Sequence, residues 1–209
     1  MGMSLLYSTE INDYINETNC NQIINKKVFT VCYDYNLKGT KYVAYELDGT
    51  LVNYLNIKKR KSFYTEKNLK KEYRSYSKDY INSGFDRGHL ASDASFDYDK
   101  KIVRKTYTMI NIIPQAPKVN RYTWIKAEKF ERLIAVKLGK VNVINGVVYE
   151  SNPIRIGKHK IAVPSFFWKM IYNDETNYKK CFMYQNINDI DIKKDKLKQH
   201  LVDCESLIS

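Results

Sequence analysis

Runs of β-branched and aromatic residues alternate with polar ones after about residue 20. Val28-Phe29-Thr30-Val31-Cys32-Tyr33 and Tyr42-Val43-Ala44-Tyr45-Glu46-Leu47 flank Asn36-Leu37-Lys38-Gly39, which predicts two strands and a hairpin turn. Asp48-Gly49 predicts a second turn, leading into Leu51-Val52-Asn53-Tyr54-Leu55. Ahead of these strands, Leu5, Leu6, Tyr7, Ile11, Tyr14 and Ile15 predict a helix or arm. Gly84–Leu90 reads as a loop entering a short strand. Residues 106–113 read as the next strand, closed by Pro114, which has no N–H to give to a ladder. After Pro117 a helix is predicted to start near Val119 or Asn120. At 100° per residue Ala127, Phe130, Leu133, Ile134 and Leu138 fall on one stripe, and Gly139 stops the helix. Lys140–Tyr149 predicts a strand, an Asn145-Gly146 turn and another strand. Lys193–Lys198 predicts a surface helix.

Length and charge narrow the class. The chain has 209 residues at 44% hydrophobic, enough for one sizeable core, so 1–209 is expected to be a single domain. No internal repeat or long linker divides it. Lys+Arg outnumber Asp+Glu by 35 to 23, a formal net charge of +12, which points to a polyanionic partner such as nucleic acid or an anionic membrane face. The segment Lys58–Lys78 is strongly basic and leads toward Arg87 and His89, either as a solvated face or along a phosphate track. No apolar run approaches the ~20 residues of a bilayer span, and the Met1-Gly2-Met3 start lacks a secretory n-region and h-region. Cys20 and Cys32 lie close in sequence, as do Cys181 and Cys204, which suggests two local disulfides and an oxidising compartment; four free thiols in a cytoplasmic protein are the alternative.

The chemistry concentrates in three blocks: Asp86-Arg87-Gly88-His89, then Asn111-Ile112-Ile113-Pro114-Gln115, then Asn120-Arg121-Tyr122-Thr123-Trp124-Ile125-Lys126-Ala127-Glu128. Phosphodiester hydrolysis needs a proton acceptor that works near neutrality, a cation-binding group, and guanidinium for the charge developing on phosphate. Histidine, with an unperturbed pKa of ~6.5, suits the first task. The three blocks together resemble the signature of the sugar-non-specific DNA/RNA endonucleases of the ββα-metal (His-Me finger) class. The resemblance covers roughly residues 41–180 and is densest over 83–132, with the ββα-metal element at about 85–138.

This resemblance implies an α+β fold, a central antiparallel sheet flanked by helices with the ββα-metal element on one face. It also implies metal-dependent cleavage of DNA and RNA with little sequence preference. His89 would be the general base and Asn120 the one direct protein ligand of Mg²⁺, for which Mn²⁺ or another divalent cation could substitute. A single neutral amide suits a cation that keeps most of its waters. Glu128 would orient water around the metal, Arg87 would meet the scissile phosphate or its neighbour, and Arg60 and Arg132 resemble two further phosphate-binding arginines. Residues 161–171 resemble a later strand of the family. Asn111 and Gln115 are candidate substrate contacts, or else satisfy backbone groups around Pro114. Asp86 is expected to hydrogen-bond a neighbour, and Trp124 to belong to the core. Asn120 and Glu128, eight residues apart, would lie roughly 80° apart on a helix and could border one groove. Where the family has His-Leu-Ala-Pro, this chain has His89-Leu90-Ala91-Ser92, which is expected to loosen the loop after the base. Exported family members fit a periplasmic or secreted location, with a signal peptide removed before residue 1. A homodimer is left open. The alternative function is a nucleic-acid-binding module on a degenerate nuclease scaffold.

Overall fold

The computed structural model describes residues 9–58 and 60–207. Seven antiparallel strands form its main sheet. In chain order the elements are α1 (Thr9–Tyr14), β1 (Gln22–Asn25), β2 (Thr30–Asp34), β3 (Gly39–Asp48), β4 (Asp86–His89), α2 (Lys100–Thr106), β5 (Ile112–Gln115), α3 (Trp124–Leu138), β6 (Lys140–Val148), β7 (Arg155–Ile156), β8 (Ile161–Ala162), β9 (Phe166–Asn173), β10 (Tyr178–Gln185) and β11 (Leu201–Val202). The spatial order is β1-β2-β3-β6-β9-β10-β11, with β4-β5 and β7-β8 as separate two-stranded ribbons. This is the α+β arrangement expected, an antiparallel sheet with helices beside it.

Side chains alternate across a strand, so the sheet has two faces of different character. On one face Val43, Tyr45, Leu47, Val143, Phe167 and Ile171 pack with Trp124, Ala127, Ile134 and Ala135 of α3, and with Leu90 and Ile113 of the β4-β5 ribbon. On the other, Ala44, Ile144, Trp168, Met170 and Tyr172 pack against Ile11 and Tyr14 of α1 and both disulfides, Cys20–Cys32 and Cys181–Cys204. The disulfides therefore fasten the chain's outer segments to the face opposite α3. Burial at ~25 cal/mol per Å² of apolar surface holds both layers on the sheet.

Several elements differ from the sequence reading. The Asn145-Gly146 pair makes no turn: β6 runs straight through it. Gly146 stands opposite Trp168 on β9, and a Cβ there would lie 2.1 Å from the indole, so glycine is required for close approach. Residues 106–113 are not one strand; the end of α2 and a short 3-10 turn at Met109–Asn111 occupy half of them, and β5 begins only at Ile112. Pro114 lies inside β5 rather than after it, in a ribbon of only two strands where one ladder edge is free. Residues 49–54 form turns, with no strand at Leu51–Leu55. The predicted tail helix is replaced by turns and a 3-10 segment at Leu197–His200. Leu5, Leu6 and Tyr7 of the predicted first helix fall outside the described residues.

Helix α3 is rotated relative to the predicted stripe. Its buried residues are Trp124, Ala127, Glu131, Ile134 and Ala135, while Leu133 is 61% exposed. A glutamate thus occupies the centre of the buried face.

Candidate active site

The ribbon β4-β5 presents the first block, with Asp86 opposite Gln115, Gly88 opposite Ile113 and His89 opposite Ile112. Gln115 explains Gly88: its amide lies across the strand, and a Cβ on residue 88 would fall 1.9 Å from Gln115 Oε1. The Gln115 amide is fully buried, and its Nε2 and Oε1 have no hydrogen-bond partner among the described residues. Asn111, expected as a possible substrate contact, is likewise fully buried. Its Nδ2 donates to Ala91 O and Thr106 O, both at 2.9 Å, and its Oδ1 accepts from Ala91 N at 2.8 Å. It braces the chain just beyond His89 and does not reach the surface. Ser92, where the family has proline, has φ −61°, the value that proline would impose, so the loop keeps its course without the ring.

His89 packs edge-on against Tyr107, ring centroids 5.0 Å apart, and beside Phe63 at 5.6 Å. Its Nε2 is buried with no hydrogen-bond partner among the described residues, whereas Nδ1 keeps solvent access. Burial pushes the imidazole pKa below its ordinary value; nearby Asp93 acts in the opposite sense and Arg60 in the same sense. A neutral ring with one accessible nitrogen is the form that accepts a proton.

Asn120 lies in a wide π-helical turn, Val119–Thr123, inserted before α3, so the uniform 80° relation to Glu128 does not hold; such π-turns are frequent at functional sites. Asn120 Nδ2 donates to Asp86 Oδ2 at 3.0 Å. Arg121 clamps the same carboxylate through Nε and Nη2, each at 2.7 Å. Burial acts to raise the Asp86 pKa, but Arg121, Asn120 and Arg87 outweigh it and hold the carboxyl below the usual range. Asp86 therefore stays ionised and fixes the amide, the bond to a neighbour that was expected of it. With Nδ2 engaged, Oδ1 is the Asn120 atom left to face a cation.

Arg87 is fixed from behind: Nε and Nη2 donate to Ser77 O at 3.0 and 2.6 Å, and the guanidinium lies over Phe63 and Tyr80. Arg60 pairs with Asp93 at 3.3 Å and Asp97 at 3.7 Å while remaining 43% exposed. Tyr107 Oη donates to Asp93 at 2.5 Å. Arg132 donates from Nη1 to Ser95 Oγ at 3.3 Å. The half-buried Glu128 carboxyl is pushed up to about 7 by burial, against the opposing pull of Lys169 and Arg132. Asp93 lies within electrostatic reach of His89, Glu128 and Arg60, so these predicted residues share one neighbourhood with Arg132.

A buried network missed by sequence reading lies beneath them. Glu131 and Lys169, both without exposed side-chain area, form an ion pair. Glu131 also accepts from Tyr45 Oη at 3.0 Å and Ser95 Oγ at 2.7 Å. Asn145 donates to Tyr45 Oη at 3.2 Å and to Leu90 O at 3.0 Å. The network thus touches the residue after His89 and the serine that bonds Arg132. No periodicity rule places a charged pair in a core, though the lysine at 169 amid apolar residues was the visible signal.

No group of three or more His, Cys, Asp or Glu side chains able to cage a metal ion occurs among the described residues. The donors available, one oriented amide oxygen and one half-buried carboxylate, instead suit a hard cation that retains its water.

The profile of the DNA/RNA non-specific endonucleases matches residues 8–207. The chain belongs to this family. It is 27% identical over 160 residues to mitochondrial endonuclease G of Homo sapiens, covering 72% of this chain and 54% of that protein. A mitochondrial nuclease of Saccharomyces cerevisiae is 28% identical over 161 residues, covering 70% and 49%. A nuclease of Nostoc sp. is 29% identical over 156 residues, covering 72% and 54%. This chain spans about half the length of these relatives. A chain in the crystal structure of the EndoG/EndoGI complex superposes with a TM-score of 0.80 at 22% identity, covering 88% of this chain and 81% of that one, so the two share a fold.

Proposed function

We propose that this chain is a single-domain, Mg²⁺-dependent endonuclease that hydrolyses phosphodiester bonds of DNA and RNA with little sequence preference. One observation carries the reading: a neutral, desolvated His89 with Nδ1 open to solvent shares a neighbourhood with Arg60, Glu128 and Arg132, while the same four-residue strand fixes Asn120 through Asp86. His89 Nδ1 takes the proton from the water that attacks phosphorus as the bond to the leaving 3′-oxygen breaks. Arg87, Arg60 and Arg132 meet the phosphate charge; because such contacts go to the backbone, they discriminate little between sequences. Asn120 Oδ1 and, through water, Glu128 would hold a divalent cation, which when bound supplies charge stabilisation at the phosphate and leaving oxygen. Asn111 and Gln115 support the strands rather than touch substrate. The two disulfides support an oxidising location, periplasmic or extracellular.

Asn120→Ala tests the anchor. Cleavage should fall steeply and recover in part at raised Mg²⁺, with the salt dependence of DNA binding unchanged. A flattened salt slope with a wild-type metal requirement would make Asn120 a phosphate contact instead, and the assignment would fail.

A further inference from the structure

Helix α2 reads Lys100-Lys101-Ile102-Val103-Arg104-Lys105-Thr106. Val103 and Thr106 are buried and Ile102 is packed on the core, so four cations share the remaining side. Lys100 and Arg104, like Lys101 and Lys105, stand at i,i+4 spacing, where like charges destabilise a helix. Lys26 and Lys27 add to them from the turn after β1. Lys105 Nζ donates to Lys26 O at 3.0 Å, and Lys105 is pushed below the ordinary lysine value by burial and by the ammonium groups of Lys27 and Lys26. The Arg104 guanidinium lies over the Tyr64 ring at 4.1 Å with Nη1 on Ser62 O at 2.7 Å, and Lys26 Nζ lies 5.9 Å from the same ring.

Local acids neutralise only part of this group. Glu66 pairs with Lys26 at 2.6 Å, and Asp99 accepts the Lys101 and Ile102 amides that begin α2. Lys27, Lys100, Lys101 and Lys105 make no salt bridge among the described residues. The cluster also adjoins the active site. Tyr107, one turn beyond Arg104, packs on His89, and its carbonyl accepts from Tyr64 N at 3.0 Å. Phe63, the neighbour of Tyr64, packs on His89 as well.

We propose that Lys26, Lys27, Lys100, Lys101, Arg104 and Lys105 form a track for the phosphodiester backbone of nucleic acid, several nucleotides from the bond being cut. This rests on the nuclease reading above and names where the substrate runs. At ~1.5 Å per residue α2 is about 10 Å long, the axial span of about three phosphates of one strand. The stack on Tyr64 and the bond to Ser62 hold Arg104 in place before substrate arrives.

The test is the triple variant Lys27→Gln/Lys100→Gln/Lys101→Gln, three exposed residues outside the catalytic machinery. Duplex binding is followed by fluorescence anisotropy in EDTA over a salt series, and cleavage of plasmid is compared with cleavage of a tetranucleotide. The slope of log K against log[salt] should flatten by ~2.7, and by ~0.9 for each single variant. At physiological salt the KM for plasmid should rise at least ~10-fold with kcat unchanged, while the tetranucleotide is cut as by wild type. An unchanged slope, or equal losses on both substrates, overturns the track. Loss of binding to phosphatidylserine vesicles with duplex binding intact would assign the face to a membrane and also overturn it. Because the binding arm needs no cleavage, a wild-type protein that binds duplex without cutting it would sink the nuclease reading while the slope still decides the track.

Discussion

Where Tyr45, Asn145 and Lys169 leave the sheet on one face, they turn polar ends toward Glu131 and α3, whereas Ala44, Ile144, Trp168 and Met170 on the opposite face meet α1 and two disulfides. Neighbouring residues of the same strands thus serve different physics. The first face adds to its apolar packing on α3 a set of directional bonds that orient Leu90 O, beside His89, and Ser95, which bonds Arg132. The second holds the chain's outer segments by apolar area and covalent links that need no orientation. Among the described residues of this network only Asn145 Oδ1 lacks a partner, and a network so nearly satisfied admits few alternative arrangements, which is what a site built from several elements requires. A disulfide acts mainly by limiting the unfolded chain and makes no comparable demand on the site.

Breaking the ionic face should have the largest effect. Lys169→Met leaves Glu131 buried without its cation, and removing one partner of such a pair costs about 3–5 kcal/mol, read as the shift in a urea midpoint. The double variant Lys169→Met/Glu131→Leu should recover most of that stability but not the wild-type kcat, because Tyr45 and Ser95 lose the acceptor that orients them. Recovery of both would mean that the network is packing alone. Breaking the opposite face should cost stability without touching chemistry. Cys20→Ser/Cys32→Ser opens a loop with a sequence separation of 12, worth about 3 kcal/mol by loop entropy, with kcat for DNA cleavage unchanged at a temperature where the variant stays folded. A parallel fall in kcat would show that the two faces are coupled through the sheet.

The smallest effect expected is in the pH dependence of stability. Glu128 is raised to about 7 in the folded protein against 4.5 ordinarily, so in metal-free buffer the unfolded chain releases its proton first. Its contribution is complete below pH 4.5 and is lost as pH rises through about 7. His89, depressed by burial, works the other way: its contribution is present above the ordinary 6.5 and is lost as pH falls through its lower folded value. Glu128→Gln should remove the first slope and leave the second, as seen in thermal melting across a pH series; an unchanged profile would remove Glu128 from the buried-acid role.

The strands β2, β3, β4, β6 and β9 and the helix α3 were legible because their periods and motif spacing are local properties of the sequence, whereas β1, β10 and β11 were not anticipated. The short strand Asp86–His89 and the buried Trp124 were readable for that reason, the one from its motif and the other from its place at the edge of the helix's apolar stripe. What was hidden depends on partners distant in sequence. Asn145-Gly146 has the composition of a turn, yet Trp168 needs the missing Cβ and Leu90 O needs the amide. Leu133 belonged to an ideal stripe, but the sheet presents Lys169 to α3, and the buried face turned to bring in Glu131. The π-turn at Asn120 likewise has no local signature. For Asn111 the sequence left two roles open, substrate contact or satisfying backbone groups, and its side chain is taken up by the backbone of Ala91 and Thr106, partners that the motif spacing does not name.

The central claim, that His89 is the base of a metal-dependent nuclease, is tested most directly by incubating wild-type protein and His89→Ala with plasmid and with RNA, each in Mg²⁺ and in EDTA, while following binding in parallel. Wild type should cut both polymers in Mg²⁺ and neither in EDTA, and His89→Ala should bind as well but cut at least ~10²-fold more slowly, the usual scale for loss of a general base. Cleavage by His89→Ala at the wild-type rate, or cleavage that persists in EDTA, would contradict the account.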